Sequence, residues 1–207
     1  MSIENVYPIQ FNRVKATLLK CDNKLILVDT GMSTDDADTI LHYARTNLNM
    51  PFEKYGEVCI ITHCHMDHIG GLKWLKKKCN FKIASHIDEV EAIESATGFN
   101  VNLKLKDREA LPYCGGIQFI HVPGHTAGNV CLYLQNKALL ILGDTLFADE
   151  EGNLSPPPDH YSVNPERSKR ELKRLRELDF DKIIVSHGKD TINGAKKKFQ
   201  LMMERRA

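Results

Sequence analysis

The sequence predicts an α/β protein, and three observations predict it. Short apolar runs of strand length recur, among them Leu25-Ile26-Leu27-Val28, Val58-Cys59-Ile60-Ile61 and Lys182-Ile183-Ile184-Val185-Ser186. Between them lie stretches whose apolar residues keep helical spacing, best seen in Ala37, Ile40, Leu41, Ala44 and Leu48. Several runs stop at a histidine or aspartate close to a glycine, which puts polar chemistry at strand ends. A chain of 207 residues is long enough for one large domain with its own core, so 1–207 is read as a single domain.

In chain order, residues 6–29 alternate apolar and polar patches around Asp22-Asn23-Lys24, which predicts strands joined by a tight turn. Asp29-Thr30-Gly31 closes them, and an aspartate there can simply cap a turn. A helix begins at Ser33, with Ser33 or Thr34 as its cap, and ends at Met50-Pro51. Further on, 81–85 is a short strand and 88–96 a short helix; His86 between them reads as an ordinary surface or rim histidine. Residues 97–116 carry mixed charge and Gly115-Gly116, and read as a loop or short hairpin. Residues 117–122 form a strand, with His121 facing the core or a neighbouring strand. A hairpin follows around Gln135-Asn136-Lys137. Pro156-Pro157-Pro158 excludes a helix interior or central strand and stiffens an extended loop over 147–163. His160 and Tyr161 after it read as surface residues within reach of a substrate. Asn164-Pro165-Glu166 opens a helix to about Leu178, and 193–206 is a closing helix.

The densest chemistry is Thr62-His63-Cys64-His65-Met66-Asp67-His68-Ile69-Gly70-Gly71, directly after a buried strand and before a helix marked by Ile69, Leu72 and Leu75. On an extended segment His63 and His65 point the same way and Cys64 the other. Asp67 and His68 fall on the turn into the helix and face a second point. Convergent buried polar groups of this kind are costly without cations, so two metals are the expected occupants, the plain alternative being a surface histidine cluster. Gly70 and Gly71 fit a tight turn or a close backbone approach.

H-x-H-x-D-H followed by Gly-Gly resembles the signature of the metallo-β-lactamase superfamily, and its other motifs occur in order: Asp29 before Thr30-Gly31, His125 in Pro123-Gly124-His125-Thr126-Ala127-Gly128, Asp144 in Gly143-Asp144-Thr145, and His187 in Ser186-His187-Gly188. The resemblance runs from about residue 14 to about residue 190 and implies a four-layer αββα sandwich with metals at one edge. It implies that one metal takes His63, His65 and His125, that a second takes Asp67, His68 and His187, and that Asp144 bridges them. Asp29 then supports the metal-binding loop without being a ligand. Imidazole and carboxylate donors suit two divalent ions, zinc first, with iron or manganese as alternatives. The implied activity is hydrolysis by a hydroxide held between the metals and oriented by Asp67, the expected catalytic residue, on a small thioester, ester or lactone.

Within the superfamily, Gly143-Asp144-Thr145-Leu146-Phe147 resembles glyoxalase II. That family continues with a glycine- and cysteine-containing segment and a helical glutathione-binding domain, whereas here Ala148-Asp149-Glu150-Glu151 follows and 20 residues come after His187. The quorum-quenching lactonases usually carry tyrosine three residues after the bridging aspartate; this chain has Phe147. An iron-dependent redox enzyme of the persulfide dioxygenase or flavodiiron kind, an RNA-trimming nuclease and a catalytically idle binding module are the other readings the fold allows. The loops at 97–116 and 147–163 are expected to choose the substrate.

Composition narrows the partners. With 28 basic and 27 acidic residues, net charge +1, there is no footprint for nucleic acid, and the lysine runs 76–78 and 196–198 read as solvated helix faces. The partner expected is a small-molecule substrate. Six cysteines without a C-x-x-C pair read as small buried hydrophobes in a reducing compartment. No apolar stretch is long enough to span a membrane and the amino terminus has no basic-then-apolar leader, so a soluble, cytoplasmic protein is expected, and secreted β-lactamase activity is not.

Overall fold

The computed structural model describes residues 3–205, which fall into two compact units, Ile3–Leu105 and the chain from Lys106 onward. In the first unit the elements are β1 (Val6–Gln10), β2 (Lys15–Cys21), β3 (Lys24–Val28), α1 (Thr34–Thr46), α2 (Phe52–Tyr55), β4 (Gly56–Ile60), α3 (Met66–Ile69), α4 (Leu72–Lys78), β5 (Lys82–His86), a 3-10 turn (Ile87–Glu89), α5 (Val90–Thr97) and β6 (Leu103–Leu105). They form one six-stranded sheet in sequence order. The turns at 11–14 and at Asp22 make β1, β2 and β3 antiparallel, while helical crossovers make β3, β4 and β5 parallel.

α1 shows how local sequence sets this layer. Ser33 caps it, its hydroxyl accepting the Asp36 N–H while the Asp36 carboxylate accepts the Ser33 N–H, a complete capping box. Its buried face is Ala37, Ile40, Leu41 and Ala44, packed with Leu25, Leu27, Cys59 and Ile61 of the sheet in one core. Gly70 and Gly71 sit where the turn after β4 passes the loop after β3. A Cβ at Gly70 would collide with the Met32 carbonyl, and one at Gly71 with the Thr30 carbonyl, so close backbone approach is the reason for both glycines.

The second unit contains β7 (Ala110–Leu111), β8 (Ile117–His121), β9 (Val130–Leu134), β10 (Leu139–Ile141), β11 (Phe147–Ala148), β12 (Leu154–Ser155), α6 (Pro165–Glu171), β13 (Lys182–Ile184) and α7 (Ala195–Glu204). Its five-stranded sheet has the order β13-β10-β9-β8-β7, and β11 pairs with β12 alone. β10 and β13 are parallel, and β8 runs the same way because both it and β10 are antiparallel to β9. The core joins Ile120, Leu140 and Ile183 of the sheet to Leu172, Leu175, Phe180 and Phe199 beneath it.

Three expectations need correction here. Residues 97–116 are not a plain loop or hairpin: they contribute β6 to the first sheet and β7 to the second. The helix expected to run to Leu178 is α6 only as far as Glu171, then tightens into a 3-10 turn over Leu172–Leu175. Of the six cysteines only Cys59, Cys64, Cys79 and Cys131 are free; Cys21 and Cys114 are disulfide-bonded, which removes two thiols from the argument for a reducing compartment. Denatured, unreduced protein is therefore expected to titrate four thiols, and six after reduction; six before reduction would restore the original reading. Among the described residues no helix is long and apolar enough to cross a membrane.

Candidate metal centre

In the first unit the chemistry gathers at the carboxyl ends of the parallel strands, where chain direction leaves β3 and β4 side by side. Asp29 follows β3 with a positive φ of 59°, a conformation aspartate tolerates better than most residues, and its N–H donates to the carbonyl of Ile60, at the end of β4. Its carboxylate is 2% exposed and takes three bonds. Oδ1 accepts the Thr62 N–H at 2.8 Å; Oδ2 accepts the Thr62 hydroxyl and the His68 Nδ1–H, both at 2.8 Å. The capping role considered for Asp29 is thus replaced by a hub beneath the histidine-rich turn.

These bonds assign ring protons. His68 spends its Nδ1–H on Asp29, which puts its lone pair on Nε2. The Thr62 hydroxyl spends its only proton on Asp29 and so accepts at His63 Nδ1, 3.1 Å away, which puts the His63 lone pair on Nε2 as well. Both rings are buried, with centroids 4.0 Å apart, and the His65 ring stands edge-on to His63 at 4.7 Å. Asp67, in the first turn of α3, is the more open carboxylate, its side chain 29% exposed and its Oδ2 3.7 Å from His68 Nε2. Cys64 turns the other way, against the core. Burial first, then the charge of Glu89 and a hydrogen bond to it, push the Cys64 thiol up to about 12, so it is no thiolate ligand at neutral pH.

In the second unit, His125, Asp144 and His187 each follow one of the three co-directional strands β8, β10 and β13. The two oxygens of Asp144 face different histidines: Oδ2 lies 3.3 Å from His125 Nε2 and Oδ1 lies 3.3 Å from His187 Nε2. Two donors at about 2.0–2.1 Å from one tetrahedral ion sit about 3.3–3.4 Å apart, so each pair has the spacing of one edge of such a site. The donor set and its spacing fit a metal ion.

The loop after Asp144 is tied to both histidines. Ala148 N–H donates to the His187 carbonyl at 3.0 Å, and the Phe147 ring lies against the His187 ring at 4.5 Å. Gly188, at φ 103°, leaves no room for a Cβ beside the Ala148 backbone. At the other end Val163 N–H donates to the His125 carbonyl at 3.0 Å, and Ser162 Oγ is 3.4 Å from His125 Nδ1. Tyr161 and Val163 are exposed on either side of Ser162.

Other histidines fall outside these sets. His160 is exposed, its ring tilted against that of Tyr161 with centroids 4.1 Å apart. His86 corrects its expectation: it is 3% exposed, and its Nδ1 accepts the Asp88 N–H at 3.2 Å, capping the 3-10 turn after β5. His121 also differs, being half-buried with Nε2 2.9 Å from the Ala127 carbonyl. Sequence reasoning missed Thr62, Glu89 and Ser162, none of which stands in a motif that marks its partner.

A family model described as "Metallo-beta-lactamase superfamily" matches residues 10–187. The chain is 34% identical over 120 residues to the hydroxyacylglutathione hydrolase of Ectopseudomonas mendocina (strain ymp), a stretch covering 58% of this chain and 42% of that one. It thus spans less than half the length of that relative. To the protein named probable metallo-hydrolase YflN of Bacillus subtilis (strain 168) it is 24% identical over 225 residues, covering 91% of this chain and 81% of that one. Among solved structures, a metallo-beta-lactamase from Pontibacter korlensis matches with TM-score 0.76 at 16% identity, over 98% of this chain and 94% of that one. A metallo-beta-lactamase family protein from Thermus thermophilus matches with TM-score 0.73 at 20% identity, over 97% and 78%. At such identities the structural likeness establishes the α/β metallo-beta-lactamase fold and nothing about substrate. With a family match that takes in Asp29, the six-residue histidine motif, His125, Asp144 and His187, the chain belongs to the metallo-beta-lactamase superfamily.

Proposed function

We propose that the chain is a metal-dependent hydrolase with a dinuclear centre that cleaves a small thioester or activated ester. In this reading His63, His65 and His125 hold one ion, Asp67, His68 and His187 hold the other, and Asp144 is shared. Asp144 carries the proposal, with one oxygen turned to His125 and the other to His187. Zinc is the first choice for such donors, with iron or manganese as alternatives.

Divalent ions bound there supply an activated water at neutral pH and a Lewis acid for a carbonyl. The chain's own residues do the rest. Asp29 and Thr62 fix the ring orientation of His68 and His63. Asp67 orients the attacking water and takes its proton. Phe147, held against His187, offers the substrate an apolar wall and no hydroxyl.

That missing hydroxyl selects among carbonyl substrates. A lactone would lack one hydrogen bond worth roughly 0.5–1.5 kcal/mol, whereas a thioester depends less on such help because a thiolate leaves readily. The relatives named hydroxyacylglutathione hydrolase support a thioester by the name they carry. The test is metal analysis of the purified chain with a panel of thioesters, lactones, aryl esters and phosphodiesters. Two ions per chain are expected, and faster turnover of a small thioester or activated ester than of an acyl-homoserine lactone. A lactone preferred by about tenfold or more would replace this reading with a lactonase, since Phe147 would then cost less than one hydrogen bond. A single iron with oxygen uptake would replace it with a redox enzyme.

A further inference from the structure

Glu89 is a buried carboxylate, 1% exposed, that ends the 3-10 turn leading into α5. A glutamate at a helix start is ordinarily read as a cap, but this side chain makes no capping bond to its own helix. It reaches instead to the metal-binding turn, 25 residues upstream, where Oε1 accepts the Cys64 N–H at 3.1 Å. The backbone N–H of the one residue between His63 and His65 therefore ends on a buried carboxylate.

The peptide at Cys64 sets the direction of both imidazoles, because side chains alternate along an extended segment. His63 and His65 lie on one face and Cys64 on the other, so a tether at Cys64 restrains the two rings from behind. Glu89 is itself presented by the turn that His86 caps through the Asp88 N–H. The buried His86 and Glu89 thus belong to one support.

We propose that Glu89 is a positioning residue for the metal-binding turn, holding the backbone at Cys64 so that His63 and His65 meet a metal without reorganisation. This rests on the proposed metal centre and adds a residue outside all the motifs. Loss of groups that orient ligands typically lowers metal affinity roughly 10–100-fold.

The test uses the full chain and zinc as the probe. Zinc affinity is measured by competition with a chromophoric chelator, and hydrogen exchange of the Cys64 amide is followed in metal-stripped protein. Glu89→Leu is expected to weaken zinc binding by at least about tenfold and to speed exchange at Cys64. Glu89→Gln keeps an oxygen acceptor and is expected to stay close to wild type in both readouts. Cys64→Ala keeps the backbone N–H and is expected to do the same. Should Glu89→Leu fail to fold, Glu89→Asp, one methylene shorter, takes its place with the same expectation. Wild-type zinc affinity in Glu89→Leu or Glu89→Asp overturns the inference, and so does a Glu89→Gln variant as weak as Glu89→Leu. A wild-type chain that binds no zinc, iron or manganese sinks the metal-centre reading instead; unchanged Cys64 exchange in Glu89→Leu or Glu89→Asp then overturns this inference separately.

Discussion

Asp67→Ala is expected to lower kcat by roughly two to four orders of magnitude while leaving the fold in place. Asp67 lies in the first turn of α3 with its side chain 29% exposed, outside the apolar core. Truncating a carboxylate in such a position usually changes stability by no more than about 0.5 kcal/mol. Its catalytic loss is larger because a positioned base in the transition state has no substitute from solvent at the same geometry. Turnover at saturating metal separates this from reduced metal affinity, and thermal unfolding of the metal-stripped protein checks the fold. A stable variant with full turnover would show that the water is oriented by another group.

Asp29 is expected to give the second large effect, and there the stability loss comes first. Asp29→Ala removes the acceptor for three buried donors: the Thr62 N–H, the Thr62 hydroxyl and the His68 Nδ1–H. A buried group left unsatisfied costs about 1–3 kcal/mol, so a loss of several kcal/mol is expected. Alanine also fits poorly at φ 59°, adding strain of about 1–2 kcal/mol. Asp29→Asn is the more informative variant, because asparagine tolerates that backbone and still offers one oxygen. It cannot accept all three donors, so His68 loses its fixed ring orientation. The expected result is a folded protein with metal affinity lowered roughly 10–100-fold. Calorimetric unfolding gives the first quantity and zinc titration the second. An Asp29→Asn variant with wild-type affinity would show that α3 alone orients His68.

Much of the candidate site was visible in sequence because its histidines and aspartates sit in short motifs at strand ends. His63, His65, Asp67 and His68 fall within six residues, and the two-residue spacing of the first pair already implied that they share a face. The structure brings the rings of His63 and His65 to 4.7 Å accordingly, and sets the His68 ring against His63 as well, at 4.0 Å. The strand ends at Asp144 and His187 were equally plain, since each follows an apolar run with a glycine beside it. Less visible was the path of 97–116, where Leu103, Leu105 and Leu111 are too few to mark two short strands in different sheets. Strands so short are stabilised by a neighbour's backbone rather than by their own pattern.

Periodicity, turn chemistry and motif spacing are relations between residues close along the chain, so the α/β class, the order of most elements and the identity of the donor residues followed from them. Who holds those donors in place did not. Thr62 and His68 meet Asp29 across 33 and 39 residues, and Cys64 meets Glu89 across 25. Such pairs exist only once β3, β4 and β5 lie side by side, because hydrogen bonds are short and directional, and no spacing along the chain encodes which strand will be the neighbour. The same holds for Phe147 against His187 and for Ala148 against His187. Each is a contact made by folding between residues whose surroundings in sequence are ordinary.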